Sequence, residues 1–219
     1  MPLKACLFDM DGVIVDSTRH HFAAWKRLAE ELSIPFEEKD NHALKGLSRV
    51  DSLEHLLALG NMPLDEKTKL KLMRKKNQLY LELIDNIRAV DVLPGAAELI
   101  RALNGAGIKV GLGSSSKNAQ LLLEHLGLSD LFQVVVDGNH ITLSKPDPEV
   151  FLKGAQALGV LPSECMVFED AASGIRAAKA GGFFAVGLGH PVELEGADKV
   201  LPGLHGLQVN TLRGWMVDA

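Results

Sequence analysis

Short apolar runs alternate with longer amphipathic segments over the last two thirds of the chain. The apolar runs have the length of strands, and the segments between them repeat their apolar positions at helical spacing. The predicted strands are 5–8, 109–112, 134–136, 166–168 and 184–187, with an edge strand near 199–201. The predicted helices between them are 96–106, 119–126, 148–158 and 174–180, and a further helix ends the chain. This alternation predicts a parallel sheet covered by helices on both faces.

The segment from residue 16 to residue 88 breaks this alternation. It contains three helical patterns, at 18–32, 50–59 and 65–87, and no convincing strand. The sequence therefore predicts a smaller domain inserted after the first strand. The expected fold class is α/β, a doubly wound parallel sheet of the Rossmann-like type with an inserted all-helical cap domain. The expected division is an α/β core, 1–15 and 89–219, and a helical cap, 16–88, joined by two linkers that act as a hinge.

Composition and charge narrow the classes of partner. The 219 residues are 47% hydrophobic and 23% charged, as in ordinary globular proteins. The net charge of −5 does not indicate the excess of basic residues that nucleic-acid-binding proteins carry. No apolar run reaches the roughly 18 residues that span a membrane, and the N-terminus does not resemble a signal peptide. Cys6 and Cys165 each lie in a predicted buried strand, which favours free thiols. We expect a cytoplasmic monomer without nucleic-acid or membrane partners.

Two acidic residues, Asp9 and Asp11, directly follow the first predicted strand, and Gly12 comes next. Two desolvated carboxylates a few ångströms apart repel by about 4 kcal/mol at an effective dielectric constant near 20. A cation is needed here, and Mg²⁺ usually combines one or two carboxylates with phosphate oxygens. The alternative is a solvated turn, which the motifs at the other strand ends disfavour.

Polar groups also follow three further predicted strands. The second strand leads into a serine-rich run, 114–118, that opens a helix. The third is followed by Ser144, Lys145 and Pro146, with Pro146 expected in a first helical turn, and the fourth by Glu169 and Asp170. Ligands of open parallel sheets bind beyond the carboxyl ends of the strands, so these groups are expected on one rim. Four acids, a lysine, hydroxyls and a helix N-terminus suit phosphoryl transfer, in which a carboxylate is able to act as nucleophile.

At these positions the chain resembles the haloacid dehalogenase (HAD) superfamily of phosphotransferases with an aspartate nucleophile. The resemblance covers nearly the whole chain and rests on Asp9-Met10-Asp11-Gly12, Ser114, Lys145-Pro146 and Glu169-Asp170 in that order. Within the superfamily the cap and loops resemble the β-phosphoglucomutase group. The matching residues there are His21, Trp25, the run 44–49, Lys76-Asn77 and the run 114–118.

The resemblance implies roles for the core residues. Asp9 is expected to carry the phosphoryl group and Asp11 to act as general acid/base, with its backbone carbonyl on Mg²⁺. Ser114 and Lys145 are expected to hold the phosphoryl group in transit. The expected metal site consists of Asp9, Asp11, Glu169 and Asp170. Ala171 departs from the pattern, since related proteins often have serine there, and Ser115 is a small departure without an expected consequence.

The resemblance also implies roles for the cap and for the loop after the second strand. His21 with Lys76 is expected to position Asp11 when the cap closes. The phosphate that is not being transferred is expected to be held by Arg49, Ser116, Lys117 and Asn118. The sugar pocket is expected to be lined by Trp25, Leu44, Lys45, Gly46 and Ser48.

These expectations amount to a Mg²⁺-dependent mutase that interconverts β-glucose 1-phosphate and β-glucose 6-phosphate, with β-glucose 1,6-bisphosphate as intermediate and primer. The main alternative is a sugar-phosphate phosphatase with the same nucleophile. A phospho-acceptor domain of the receiver type is disfavoured because the acids follow the first strand and a long helical insert comes next. A catalytically silent sugar-phosphate binder is disfavoured by the complete set of acids with Lys145.

Overall fold

The computed structural model describes residues 2–217, and the first residue and last two residues of the predicted core lie outside this range. Its centre is a six-stranded parallel sheet in the order β3-β2-β1-β4-β5-β6. The strands are β1 (Ala5–Phe8), β2 (Lys109–Gly113), β3 (Val134–Val136), β4 (Cys165–Glu169), β5 (Phe184–Leu188) and β6 (Lys199–Leu201). The predicted parallel sheet is confirmed, and each predicted strand lies within an observed one.

Helices cover both faces of the sheet. The core helices are α5 (Ala96–Gly105), α6 (Ala119–Leu126), α7 (Glu149–Leu158), α8 (Ala172–Ala180) and α9 (Val209–Val217). Helices α5, α6 and α9 contribute to one apolar cluster, whereas α7 and α8 contribute to the other. Burial of alternate strand residues on the two faces drives this arrangement, because the chain then removes apolar area from water on both sides.

The two cysteines are free and buried, as predicted. Cys6 belongs to the cluster on one face of the sheet and Cys165 to the cluster on the other. In the parallel register Cys165 pairs with Ala5, the neighbour of Cys6, so the two side chains point in opposite directions. This geometry separates the thiols.

The segment after β1 contains four helices, α1 (Thr18–Glu31), α2 (Glu38–His42), α3 (Arg49–Leu59) and α4 (Glu66–Ile84). The three predicted helices are present, and α2 was missed because its five residues, Glu-Lys-Asp-Asn-His, have no apolar face. Nine buried residues of this segment, with Trp25 and Leu28 among them, form an apolar cluster of their own. That cluster supports the proposed division into a core and a cap at 16–88, which stays a prediction.

The two linkers between cap and core are paired with each other. Val15 and Val92 form an antiparallel bridge, and the amide of Leu93 donates to the carbonyl of Ile14 at 2.8 Å. A short 3-10 helix, Ala89–Asp91, precedes the returning linker. The cap is therefore attached through two chain segments that run side by side.

One local prediction was wrong. Pro146 does not lie in a first helical turn, because α7 begins at Glu149 with Pro148 as its N-cap residue. The amide of Asp147 instead donates to the carbonyl of Ser144 in a turn. This turn directs the Lys145 side chain back into the core before the helix starts.

Within residues 2–217, every helix is too short or too polar to cross a bilayer.

Candidate active site

The carboxyl ends of β1 and β4 place two carboxylates around one lysine. The Nζ atom of Lys145 donates to Oδ1 of Asp9 and to Oε1 of Glu169, both at 2.6 Å, and to the carbonyl of Gly113 at 3.1 Å. The side chain of Lys145 is fully buried, and those of Asp9 and Glu169 are nearly so. The predicted convergence of strand ends therefore brings these three groups together.

Burial and crowding govern the charges of this cluster. Burial raises the pKa of the Asp9 carboxyl, and although Lys145 opposes this, the carboxylates of Glu169, Asp11 and Asp170 add to it. Burial lowers the pKa of Lys145, but Asp9 and Glu169 outweigh burial and raise that pKa above its usual value. Burial also raises the pKa of Asp170 to about 7, with the Glu169 carboxylate as the next cause. The single positive charge of Lys145 therefore does not balance the carboxylates of Asp9, Asp11, Glu169 and Asp170.

A divalent cation fits this surplus of negative charge. Carboxylate oxygens of Asp9, Glu169 and Asp170 lie within 4.8 Å of one another, a donor set of hard oxygens that suits Mg²⁺. Gly12, at φ +79°, permits the close approach of Asp170, since a Cβ atom at Gly12 would lie 2.2 Å from Oδ2 of Asp170. The described residues therefore fit the predicted metal, and the part expected of Asp11 through its backbone carbonyl stays a prediction.

Asp11 lies at the contact between core and cap. Its Oδ1 accepts a short hydrogen bond from the hydroxyl of Ser17 and lies 3.6 Å from Nε2 of His21. Burial raises the pKa of Asp11, but His21, Ser17 and Lys76 together lower it below its usual value. Asp11 thus lies in a more strongly hydrogen-bonded environment than Asp9, whose pKa is raised by burial.

Lys76 stands behind His21 and is also buried. Its Nζ lies 2.8 Å from Nδ1 of His21, over the rings of Trp25 and Tyr80 at 4.8 and 4.9 Å. Burial lowers the pKa of Lys76 to about 7, and the Arg49 cation contributes to this. Burial likewise lowers the pKa of His21, with Lys76 as the next cause. A neutral His21 that accepts at Nδ1 from Lys76 directs its Nε2–H towards Asp11.

A cavity of about 310 Å³ lies between the cap and the rim of the sheet. The predicted site residues that line it are Asp9, Asp11, His21, Trp25, Leu44, Lys45, Gly46, Ser48, Arg49, Lys76, Ser116, Lys117 and Asp170. Most of the sequence-predicted site thus surrounds one space. Ser114, Asn118, Lys145 and Glu169 lie outside its lining. Lys145 donates to both Asp9 and Glu169, and the Oγ of Ser114 accepts from the amide of Ser116 at 3.1 Å.

Arg49 and Asn118 are joined through Asn77. The Oδ1 atom of Asn77 accepts from the guanidinium of Arg49 at 2.7 Å and from Nδ2 of Asn118 at 3.0 Å. Arg49 comes from the start of α3, Asn77 from α4 and Asn118 from the N-cap of α6. This bridge places the Arg49 guanidinium of the cap beside the core loop that carries Lys117.

Several residues around the cavity were given no individual role in the sequence analysis. Ser115 and Ser144 were expected on the rim, and Leu47 lies in the run 44–49, but none of the three was assigned to the site. The lining residues that the sequence did not single out are Thr18, Asn41, Val50, Asp51, Ser52, Gly138, Ile141 and Thr142. Ser17, which binds Asp11, is completely buried between the linker and α1. A serine directly before a helix usually caps the helix N-terminus through its side chain. The Ser17 side chain makes no such capping hydrogen bond and binds Asp11 instead.

Comparisons with known proteins agree with this geometry. The family model of the haloacid dehalogenase-like hydrolases matches residues 3–182. A β-phosphoglucomutase of Bacillus subtilis is 43% identical over 201 residues, which is 91% of this chain and 89% of that protein. The fructose-1-phosphate phosphatase YqaB of Escherichia coli is 35% identical over 181 residues, 82% of this chain and 93% of that protein. A crystal structure of β-phosphoglucomutase from Clostridium difficile has a TM-score of 0.96 at 38% identity and covers 99% of this chain, with 98% of that chain matched.

Proposed function

Because the chain belongs to the haloacid dehalogenase-like hydrolase family, we propose that it is a phosphomutase that interconverts β-D-glucose 1-phosphate and β-D-glucose 6-phosphate. The observation that carries this proposal is a single cavity lined both by Asp9, the partner of the buried Lys145, and by two further cations, Arg49 from the cap and Lys117 from the core loop. A bisphosphate that must be held in two orientations needs a second phosphate site besides the one at Asp9.

The proposed chemistry begins at Asp9. One of its carboxylate oxygens attacks phosphorus, and the bond from phosphorus to the sugar oxygen breaks. Asp11 donates a proton to that oxygen and later removes one from the hydroxyl that takes the group back. His21, with Lys76 behind it, and Ser17 hold the Asp11 carboxylate in place for both steps.

The metal site is part of the same proposal. Asp9, Glu169 and Asp170 would hold Mg²⁺ through side-chain oxygens, and Asp11 through its backbone carbonyl. When bound, Mg²⁺ supplies positive charge to the phosphoryl oxygens. Ser114 and Lys145 are the residues of this chain proposed to hold the transferring group. The proposed primer is β-glucose 1,6-bisphosphate.

Residues of the cap are proposed to bind the sugar. Trp25, Leu44, Lys45, Gly46 and Ser48 line the same cavity as Asp9 and Arg49, and Arg49, Ser116, Lys117 and Asn118 are proposed to bind the second phosphate. Because the cap covers the rim, water is kept from the aspartyl-phosphate. The cytoplasmic location and the monomeric state stay predictions.

A phosphatase of the same family is the second candidate, since a curated relative at 35% identity is a fructose-1-phosphate phosphatase. The two activities are separated by supplying β-glucose 1-phosphate with Mg²⁺ and a trace of the bisphosphate, and by measuring glucose 6-phosphate and inorganic phosphate together. The mutase proposal expects glucose 6-phosphate as the main product. Phosphate release equal to substrate loss would overturn it and support the phosphatase.

A further inference from the structure

Three serine hydroxyls of the core donate hydrogen bonds to one short segment of the cap, residues 45–51. Ser173 donates to the carbonyl of Lys45 at 3.1 Å and Ser115 to the carbonyl of Gly46 at 2.9 Å. Ser144 donates to Oδ2 of Asp51 at 2.7 Å. We call Ser115, Ser144 and Ser173 the serine clasp.

The members of the serine clasp come from three different parts of the rim. Ser115 follows β2, Ser144 lies between β3 and α7, and Ser173 lies in the first turn of α8. Each is at most three residues from a group at the proposed reaction centre, namely Ser114, Lys145 or Asp170. A single cap segment satisfies all three hydroxyls only when it lies directly over that centre.

The cap segment fits closely at this contact. Gly46 has φ +73°, and a Cβ atom there would lie 2.3 Å from Oγ of Ser173 and 3.2 Å from Cβ of Ala171. The small side chain of Ala171, the departure noted in the sequence, is therefore part of the surface on which Gly46 rests. The contact therefore leaves no room for a side chain at residue 46.

Asp51 transmits the contact to the second phosphate site. Its Oδ2 also accepts from the hydroxyl of Ser48 at 2.6 Å, and Oγ of Ser48 accepts from the amide of Asp51, which caps α3. Arg49 is the first residue of that helix. The hydrogen bond from Ser144 thus fixes the helix start that carries the cap cation.

We propose that the serine clasp determines whether the aspartyl-phosphate is transferred to a sugar hydroxyl or to water, an inference that rests on the proposed mutase function. In both reactions the bond from phosphorus to Asp9 breaks, and a new phosphorus–oxygen bond forms to the acceptor. The proton of the acceptor passes to Asp11 in both. The acceptors differ in size, so a cap held down over a bound sugar phosphate admits the sugar and excludes water.

The expected effect follows from ordinary hydrogen bonds. One net hydrogen bond changes an equilibrium by about fivefold, so each Ser→Ala change should lower the closing constant of the cap by that factor. Removal of all three should lower it by roughly a hundredfold if the effects add. Ser115, Ser144 and Ser173 act through the position of the cap and are therefore positioning residues.

The test uses the variants Ser115→Ala, Ser144→Ala, Ser173→Ala and their combination, with two readouts on the Mg²⁺-loaded protein. The first is hydrogen exchange of the backbone amides 44–51, which reports cap docking without any turnover. The second is the ratio of inorganic phosphate to glucose 6-phosphate formed from β-glucose 1-phosphate with a trace of bisphosphate. Ser129→Ala is the matched control, because the Ser129 hydroxyl is buried and has no hydrogen-bond partner among residues 2–217. Ser144→Thr keeps the hydroxyl and should restore the wild-type ratio.

We expect faster exchange at 44–51 and a product ratio that rises severalfold in each single variant and further in the combination. Unchanged exchange and an unchanged ratio would overturn the proposal, and so would faster exchange with an unchanged ratio. If the combined variant does not fold, the single variants decide by the same criteria. A wild-type protein that releases only phosphate would refute the mutase function, while the exchange readout would still decide whether the serines hold the cap.

Discussion

Lys145 Nζ lies 2.6 Å from Asp9 Oδ1 and 2.6 Å from Glu169 Oε1, so one buried cation joins the proposed nucleophile to the proposed metal site. Removal of one partner from a buried charge cluster leaves the others without compensation, which typically costs about 3–5 kcal/mol.

Lys145→Ala should therefore lower the free energy of unfolding of the metal-free protein by about 3 kcal/mol or more, and added Mg²⁺ should restore part of the loss. Denaturant unfolding with and without Mg²⁺ measures both effects. Lys39→Ala is the matched control, since Lys39 pairs with Glu37 at an exposed site where such a pair contributes little to stability. A loss no larger than that of the control would contradict the structural role of Lys145.

Asp9→Asn should abolish both the mutase and any phosphatase activity, because an amide of the same shape lacks the nucleophilic oxygen. We expect turnover at least about a thousandfold below wild type. The variant should keep the wild-type circular dichroism spectrum, and Asp198→Asn, at an exposed pair with Lys179, should stay fully active. Residual turnover above the uncatalysed rate would mean that the nucleophile is wrongly assigned.

Arg49→Ala should lower kcat/KM of the mutase by about a hundredfold and leave hydrolysis of a small phosphoester such as p-nitrophenyl phosphate within a fewfold of wild type. The reason is that only a bisphosphate places a second phosphate beside the Arg49 guanidinium. Arg49→Lys should recover part of the loss, since an ammonium cannot reproduce the guanidinium fork. Equal losses for both substrates would indicate that Arg49 supports the fold rather than the second phosphate.

Asn77→Ala should raise KM for β-glucose 1-phosphate more than it lowers kcat. Asn77 holds Arg49 and Asn118 together and touches no reacting atom in the proposed mechanism. Steady-state kinetics separate the two parameters, and Gln78→Ala, which alters an exposed neighbour on α4, is the control. A fall in kcat alone, with KM unchanged, would place Asn77 in the chemical step instead.

Binding of Mg²⁺ should strengthen as the pH rises through about 7. The folded-state pKa of Asp170 is raised to about 7 by burial and by Glu169. Because the pKa of Asp170 is higher in the folded than in the unfolded protein, its protonated form stabilises the metal-free fold at low pH. This stabilisation is fully present below the unfolded-state pKa and is lost as the pH rises through about 7. Mg²⁺ needs the ionised carboxylate, so the metal-induced rise in Tm should be larger at pH 8 than at pH 6. An equal rise at both pH values would show that Asp170 is already ionised at pH 6.

The sheet and its rim could be predicted because both depend on local patterns. Apolar runs set the strands, and the polar groups that must meet at the rim directly follow those runs, as Asp9 and Glu169 do. The cap contacts could not be read in this way. Asp51 and Ser115 resemble ordinary helix-terminal and loop residues until the cap is placed on the core. Lys76 lies in a charged run but is only 2% exposed, and only the family resemblance indicated its place in the site.

The pairing of the two linkers at Val15 and Val92 has a consequence for repeated turnover. Two linkers that are hydrogen-bonded side by side resist twisting and sliding of the cap but still allow it to bend about one axis. We therefore expect paired linkers to return an opening cap to nearly the same position over the rim. Arg49 would then meet a bisphosphate that has reoriented in the cavity at the same place in every cycle.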